Sequence, residues 1–435
     1  MREGLSIRGL AAKALIDIEK GDLSTDLLNR ITEEGDRLED RDRRFLRELV
    51  YGVLENKTYL DYRISLLMKK KSRIKPMVRQ LLRIAVYELL FLSTPDHAAV
   101  HEAVSLVKKA DYHASGFANA VLRRISDGED EPVFPEGMDR LEGLSIRYSH
   151  PLWMVRLLAD LFDPDDLEAV LAKNNRPAPL SIFVNPTKIS RQKAYDRLKE
   201  DLPGLRLSSL SDHALLCDGG RVTDHELFRE GAISIQGQAS IRAAELAVEG
   251  LADKPVEILD LCSSPGSKAM AMAALAPGAH VVANDLTDEK AKRIRENIVR
   301  IGADRIETSV RDGREFYPDW AHRFDLVLVD APCSGLGLLR RKPDIRWKRS
   351  EEDLVQLQDL QGEILDQAVK YIKGGGRLVY STCTYGRMEN EDQVDRLLAR
   401  SDLKSEEIAG RKHISYHPLM EDSDGFFIAR FRRRS

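Results

Sequence analysis

Cysteine is scarce in this chain: four among 435 residues, at positions 217, 262, 333 and 383. Thiols so few and so scattered cannot staple a chain of this length. No CxxC pair and no clustered histidine accompanies them, so no metal site is expected. A reduced, cytoplasmic protein is the expectation. Long apolar runs are missing as well; nowhere do about 18 consecutive apolar residues occur, so no membrane-spanning helix is expected. The opening MREGLSIRGLAAKALIDIEK has neither the apolar core nor the small-residue cleavage site of a signal peptide. Charge of one sign is also lacking: the net charge of −4 argues against a uniformly basic nucleic-acid binder, although averages conceal patches. No internal repeat or low-complexity tract is present.

What is there falls into blocks. Residues 1–126 place apolar residues at helical spacing in ALIDIEK, RRFLRELVYGVLENK, MVRQLLRIAVYELLFL and FANAVLRRI, with no strand-like alternation between them. The acidic, proline-containing SDGEDEPVFPEGMD predicts a linker over 127–140. A small α+β block is expected over 141–235, with one long helix through LSIRYSHPLWMVRLLADLF, a strand at PLSIFV and a helix capped by Ser190. From 236 to 435 short apolar strands (VEILDL, AHVVAND, RIETSV, DLVLVD, GRLVYST) alternate with helical stretches, the pattern of a mostly parallel α/β sheet covered on both faces. KHISYHP and GFFIARFRR predict an antiparallel hairpin at one edge.

In such sheets ligands bind beyond the carboxyl ends of the strands. The first strand ends in LDLCSSPGSKAM, where small residues let a ligand approach the backbone; the loop is neither GxxxxGK nor a full GxGxxG. Later strands end at Asp285, Asp312 and Asp330. An acid at the position of Asp285 suits a ribose diol. Acids gathered at this rim disfavour an anionic dinucleotide and favour a cationic cofactor without phosphate, for which S-adenosylmethionine fits.

Cys333 and Cys383 each follow an apolar strand, so both are expected on that rim, from adjacent strands. A thiol beside a methyl donor suggests one chemistry. C5 of a pyrimidine is a poor nucleophile; a thiolate added to C6 pushes electron density onto C5, which takes the methyl group, after which a base removes the C5 proton and the thiolate departs. An acid such as Asp330, one Ala-Pro step from Cys333, could hydrogen-bond N3. The competing readings are two buried inert thiols and a redox dithiol.

SPGSK, DAPCSGLG and YSTCTYGRMENE resemble the motifs of RNA cytosine-5 methyltransferases of the Sun/Fmu (RsmB) type, which act on 16S ribosomal RNA. The resemblance implies a Rossmann-like methyltransferase domain using S-adenosylmethionine. It implies Cys383 as nucleophile, Cys333 assisting product release, and Lys268 and Asp330 near the reacting base. The cofactor residues it implies are Cys262, Ser263, Ser264, Pro265, Gly266, Ser267, Lys268, Asp285, Asp312 and Asp330. Two departures stand out: PGSKA where the family usually has PGGKT, and QGQAS at 236–240 where relatives commonly read QDxAS. Ser267 should fit only if the backbone there needs no positive φ.

LLRIAVYELLFL, HAAVHEAVSLVKKA and GFANAVLRRI resemble the NusB-like RNA-binding fold. That gives a use to the basic stretch at 62–86, with eight Lys or Arg and no acid after Tyr62, of which Lys69, Lys70, Lys71, Arg73 and Lys75 are the candidate RNA contacts. A second basic run, LLRRKPDIRWKR, makes Arg340 and Arg341 candidates for gripping RNA beside the active site. The expected partner is unstacked 16S rRNA bound by a monomer. The alternatives are methylation of tRNA or another RNA, or a non-catalytic RNA-binding or antitermination factor.

Overall fold

Amphipathic spacing produces the expected N-terminal helices. In the computed structural model, which describes residues 6–33, 38–68, 74–128, 135, 137–252, 254–400 and 402–435, helices span Ile7–Glu19, Ser24–Glu33, Asp40–Ser65, Pro76–Phe91, Asp96–Ala110 and Ser115–Ser126. Their apolar faces meet in one core containing Leu15, Leu28, Leu49, Val53, Leu82, Val86 and Leu122. No helix among the described residues is long and apolar enough to cross a membrane.

The chain forms two compact units: residues up to Asn175 with Leu339–Arg349, and Arg176–Leu338 with Ser350–Ser435. The expected long helix near 150 is two, Arg140–Arg147 and Leu152–Ala159, because Ser149 takes a left-handed conformation (φ 56°) just ahead of Pro151. By contacts, these helices and Pro164–Asn174 group with the N-terminal helices, so the expected 141–235 block is shared between the two units.

The segment Leu339–Arg349 shows why a basic run need not be a solvated face. Arg346 is fully buried and donates to the carbonyls of Glu55 (2.9 Å), Ser149 (3.4 Å) and Asn174 (2.8 Å). Trp347 Nε1 donates to Leu54 O at 2.8 Å, and Ser24 Oγ to Asp344 at 2.8 Å. Burial lowers the Arg346 pKa to about 10 despite nearby Glu55, and burial raises Glu55 to about 7 against the pull of Arg346. Arg346→Ala would strand three carbonyls in the interior, at an expected cost of about 2–4 kcal/mol. Urea unfolding should show that loss, with Arg346→Lys restoring only part of it because an ammonium cannot fork across three acceptors.

The second unit carries two sheets. Strands β1 (Leu180–Val184), β2 (Arg206–Leu207), β3 (Ala214–Cys217) and β4 (Ile233–Ile235) form an antiparallel sheet in the order β2-β3-β1-β4. The helix Arg191–Leu198 is capped by Ser190 as expected. The larger sheet contains β5 (Glu257–Asp260), β6 (His280–Asp285), β7 (Ile306–Val310), β8 (Phe324–Asp330), β9 (Ile372–Thr382), β10 (Leu403–Ser405), β11 (His413–Tyr416) and β12 (Phe426–Arg433). Its order is β10-β12-β9-β8-β5-β6-β7, with β5 to β9 parallel and β11 paired to β12. The expected terminal hairpin exists, but β12 lies between β9 and β10 rather than at the edge. Alternate side chains supply opposite faces: Ile258, Val281 and Leu326 enter one core, and Leu259, Val282 and Val327 the other. That double burial is why these strands read as continuous apolar runs.

Candidate active site

All five parallel strands point their carboxyl ends the same way, which brings the motif loops to one rim. After β5 the chain turns through Ser263 and Ser264 into the helix Ser267–Leu275. Gly266 is the left-handed residue of the turn (φ 95°). A Cβ there would stand 3.1 Å from Ile294 Cγ2. Ser267 starts the helix, so its hydroxyl is tolerated where the family has glycine. The loop is pinned by Ser263 N to Asn284 O (2.8 Å) and by Asn297 Nδ2 to Pro265 O (3.1 Å).

The acids divide into distinct environments. Asp285 accepts from Ser264 N, Leu286 N and Lys290 Nζ, each at 2.8 Å. Asp330 accepts from Lys268 Nζ at 2.6 Å and from Ser381 Oγ at 2.8 Å. Asp260, at the end of β5, is fully buried; Ser263 Oγ donates to one oxygen at 2.8 Å and the other has no hydrogen-bond partner. Burial, with Asp330 and Asp285 adding repulsion, raises its pKa to about 7 despite the Ser263 bond. Asp312 is engaged by its neighbour: the Arg314 guanidinium holds it bidentately, chiefly through hydrogen bonds that lower its pKa.

The two sulfurs converge. Cys333 Sγ and Cys383 Sγ lie 3.2 Å apart, from the ends of the neighbouring parallel strands β8 and β9. The hydrogen bond to Cys383, then burial and the charges of Cys383 and Glu389, raise the Cys333 pKa well above that of a free thiol. Burial alone would lower the Lys268 pKa, but Asp330, Asp260 and Cys383 together raise it, so an ammonium faces this pair. The other two thiols are elsewhere in role. Cys262 is pushed strongly up by burial and the surrounding acids, and Cys217 is buried in the core of the small sheet.

Three family models match: "16S rRNA methyltransferase RsmB/F" over residues 251–432, "NusB family" over 5–127, and "Methyltr_RsmF/B-like, ferredoxin-like domain" over 150–222. "Probable ribosomal RNA small subunit methyltransferase B" of Bacillus subtilis (strain 168) is 32% identical, covering 99% of both chains. "Ribosomal RNA small subunit methyltransferase B" of Proteus mirabilis (strain HI4320) is 31% identical over 100% of both. The chain belongs to this methyltransferase family. Among solved structures, PH0851 superposes with a TM-score of 0.78 at 24% identity over 100% of both chains, a likeness of fold.

The methyltransferase's thiols are held by residues the sequence reading did not assign. Glu389 is buried and receives Ser334 N (2.8 Å), Ser334 Oγ (2.5 Å) and Gln361 Nε2 (3.0 Å). Its carboxyl is raised by burial in spite of these donors. Asn390 accepts from Thr382 Oγ1 at 2.5 Å and donates to Thr384 O at 3.2 Å. Together they fasten the residues on either side of Cys383 and the one after Cys333. Gly337 N donates to Cys383 O at 3.0 Å, and a Cβ at Gly337 would come within 2.1 Å of Gly425 O. The run GRMENE was the available signal, since a Glu-Asn pair six residues after a strand-end thiol has no reason to be a core packing motif.

The basic candidates divide. Lys69, Lys70, Lys71 and Arg73 lie outside the described residues. Lys75 is exposed and pairs with Asp111 at 3.0 Å. The 62–86 stretch is not a uniform RNA face: Arg63 and Arg83 are buried, Arg83 between Asp61 (2.5 Å) and Glu19 (2.7 Å). The run LLRRKPDIRWKR divides likewise. Arg340 is buried and Arg341 half-buried, in a segment that Arg346 and Trp347 anchor to the helical unit.

Proposed function

We propose that this chain transfers a methyl group from S-adenosylmethionine to C5 of a cytosine in 16S rRNA, through a covalent bond between Cys383 Sγ and C6, with Cys333 assisting product release. The observation that carries the reading is the 3.2 Å approach of the two sulfurs, close enough for both to address one pyrimidine ring. The relatives' names supply the small-subunit RNA as the substrate class.

The donor set suits a cationic cofactor. Asp260, Asp285 and Asp330 stand against two ammonium groups, Lys268 and Lys290, and Asp260 keeps a buried oxygen without a partner. Asp285 and the loop Cys262–Lys268 would hold the ribose and amino-acid ends. When bound, S-adenosylmethionine supplies an electrophilic methyl group.

The protein's own residues do the rest. Cys383 as thiolate attacks C6 and the displaced electron pair moves toward C5 and N3. Lys268, paired with Asp330 at 2.6 Å, can pass a proton through that carboxyl to N3 as charge builds there. Forming the C–S bond also removes the Cys383 charge, which with its hydrogen bond holds Cys333 protonated. Cys333 then gives its proton to solvent and, as thiolate, takes the one on C5. The C5–C6 double bond re-forms and Cys383 leaves as thiolate.

The test is label transfer from methyl-tritiated S-adenosylmethionine to unmodified 16S rRNA, followed by nucleoside analysis. The expected result is label in 5-methylcytidine, with Cys383→Ala reducing the rate by at least about a thousandfold. Label in another nucleoside, or a Cys383→Ala enzyme of near-normal rate, contradicts the reading.

A further inference from the structure

A concavity with no role assigned so far lies in the helical unit, far in sequence from the thiols. A groove of about 700 Å³ runs between the helices Asp96–Ala110 and Ser115–Ser126. Its floor is apolar, with Val100 and Val104, and its walls carry His97, His101, Lys108 and Arg123. One carboxylate lines it, Asp96, and that group is occupied by Ser126 Oγ at 2.8 Å. Of the other acids on these helices and their caps, Glu102 pairs with Arg8 and Asp111 with Lys75, while Asp127 is exposed at the end of the second helix. Among the described residues, neither Lys108 nor Arg123 has a carboxylate partner. At the end of the groove Tyr112 is 67% exposed, with Lys108 Nζ 5.4 Å from its ring centroid and His113 edge-on to it at 5.9 Å.

We infer that this groove is a docking channel for a single RNA strand, Lys108 and Arg123 facing its phosphates and Tyr112 stacking on a base. The inference rests on the proposed reading that the substrate is RNA. Three features favour that occupant. Two permanent cations outnumber the one carboxylate lining the groove, so the local field favours an anion. The groove is long: the eleven residue steps from His97 to Lys108 span about 16 Å of helix, the length of four or five nucleotides at about 3.4 Å each. An exposed aromatic ring beside a cation is the arrangement that accepts a base face without reading sequence. A buried protein-binding cleft would instead need a broad apolar patch, and here only the two valines of the floor are apolar.

The experiment uses the full-length enzyme and a fluorescein-labelled 12-nucleotide single-stranded RNA, with binding followed by anisotropy across a salt series. Lys108→Glu with Arg123→Glu should weaken binding by about tenfold or more. It should also make the slope of log affinity against log salt shallower by about 1.4, two single-strand phosphate contacts. Tyr112→Ala should weaken binding about fivefold or more and leave that slope alone. Lys108→Arg should bind like the parent. Circular dichroism establishes that each variant is folded. Unchanged affinity and slope in the folded double variant overturn the inference. So does a variant that binds and methylates naked RNA normally but fails on ribosomal particles, since the groove would then hold a protein. The proposed function is judged separately: if the parent enzyme transfers no methyl group, that reading fails while the anisotropy still decides the groove.

Discussion

Cys333→Ala is expected to accumulate as a covalent enzyme–RNA complex that survives denaturing electrophoresis. In the parent enzyme the Cys333 thiol lies 3.2 Å from the Cys383 sulfur. Its proton is held by that neighbour first, by burial next, and then by the charges of Cys383 and Glu389. On the proposed mechanism, bond formation at Cys383 cancels two of those contributions and frees Cys333 to ionise when a base is needed. Alanine removes the base and leaves the nucleophile in place. Attack and methyl transfer proceed, the C5 proton stays, and the C–S bond cannot break at a useful rate. Turnover should fall by about 10²–10⁴, the usual worth of a positioned general base. A single burst of methyl transfer should remain. A Cys333→Ala enzyme that is slow but never traps RNA would assign proton removal to another group.

Asp330→Asn should cost about 10²–10⁴ in kcat/KM for RNA, and Lys268→Met should cost about the same. The two side chains are one device: Lys268 Nζ lies 2.6 Å from Asp330, whose second oxygen is oriented by Ser381. Removing the carboxylate leaves a buried ammonium without its main counterion and, on the proposed mechanism, takes away the group that faces N3. Removing the ammonium leaves a carboxylate with repulsion from Asp260 uncompensated. Because either loss disables the pair, the double variant should be little worse than the single ones. Kinetics of the two single variants and the double variant test this. Additive losses would mean that the two residues act separately.

Much of this was legible in the sequence because the signals are local. Period-3.6 spacing marked the N-terminal helices, and apolar runs marked β5 to β9. Strand-end placement put both thiols on one rim, since residues after adjacent parallel strands have nowhere else to go. What stayed hidden depends on long-range contacts. In the small sheet, β2, β3 and β4 are too short to announce themselves as strands. A charge run gives no sign of which member is buried; Arg346 and Arg83 became interior only because distant carbonyls and carboxylates were waiting for them. Asp312 seemed equal to the other acids in sequence, and Arg314, two residues away, had already claimed it. Glu389 was missed because its partners, Ser334 and Gln361, lie 55 and 28 residues from it.

The identity of the sulfur that bonds to RNA can be read directly. The Cys333→Ala enzyme is incubated with 16S rRNA and S-adenosylmethionine, the stalled complex is digested with nuclease and protease, and the modified peptide is sequenced by mass spectrometry. A methylated cytidine remnant on the peptide containing Cys383 is the predicted result. A remnant on any other residue, or a stalled complex that carries none, would contradict the division of labour between the two thiols.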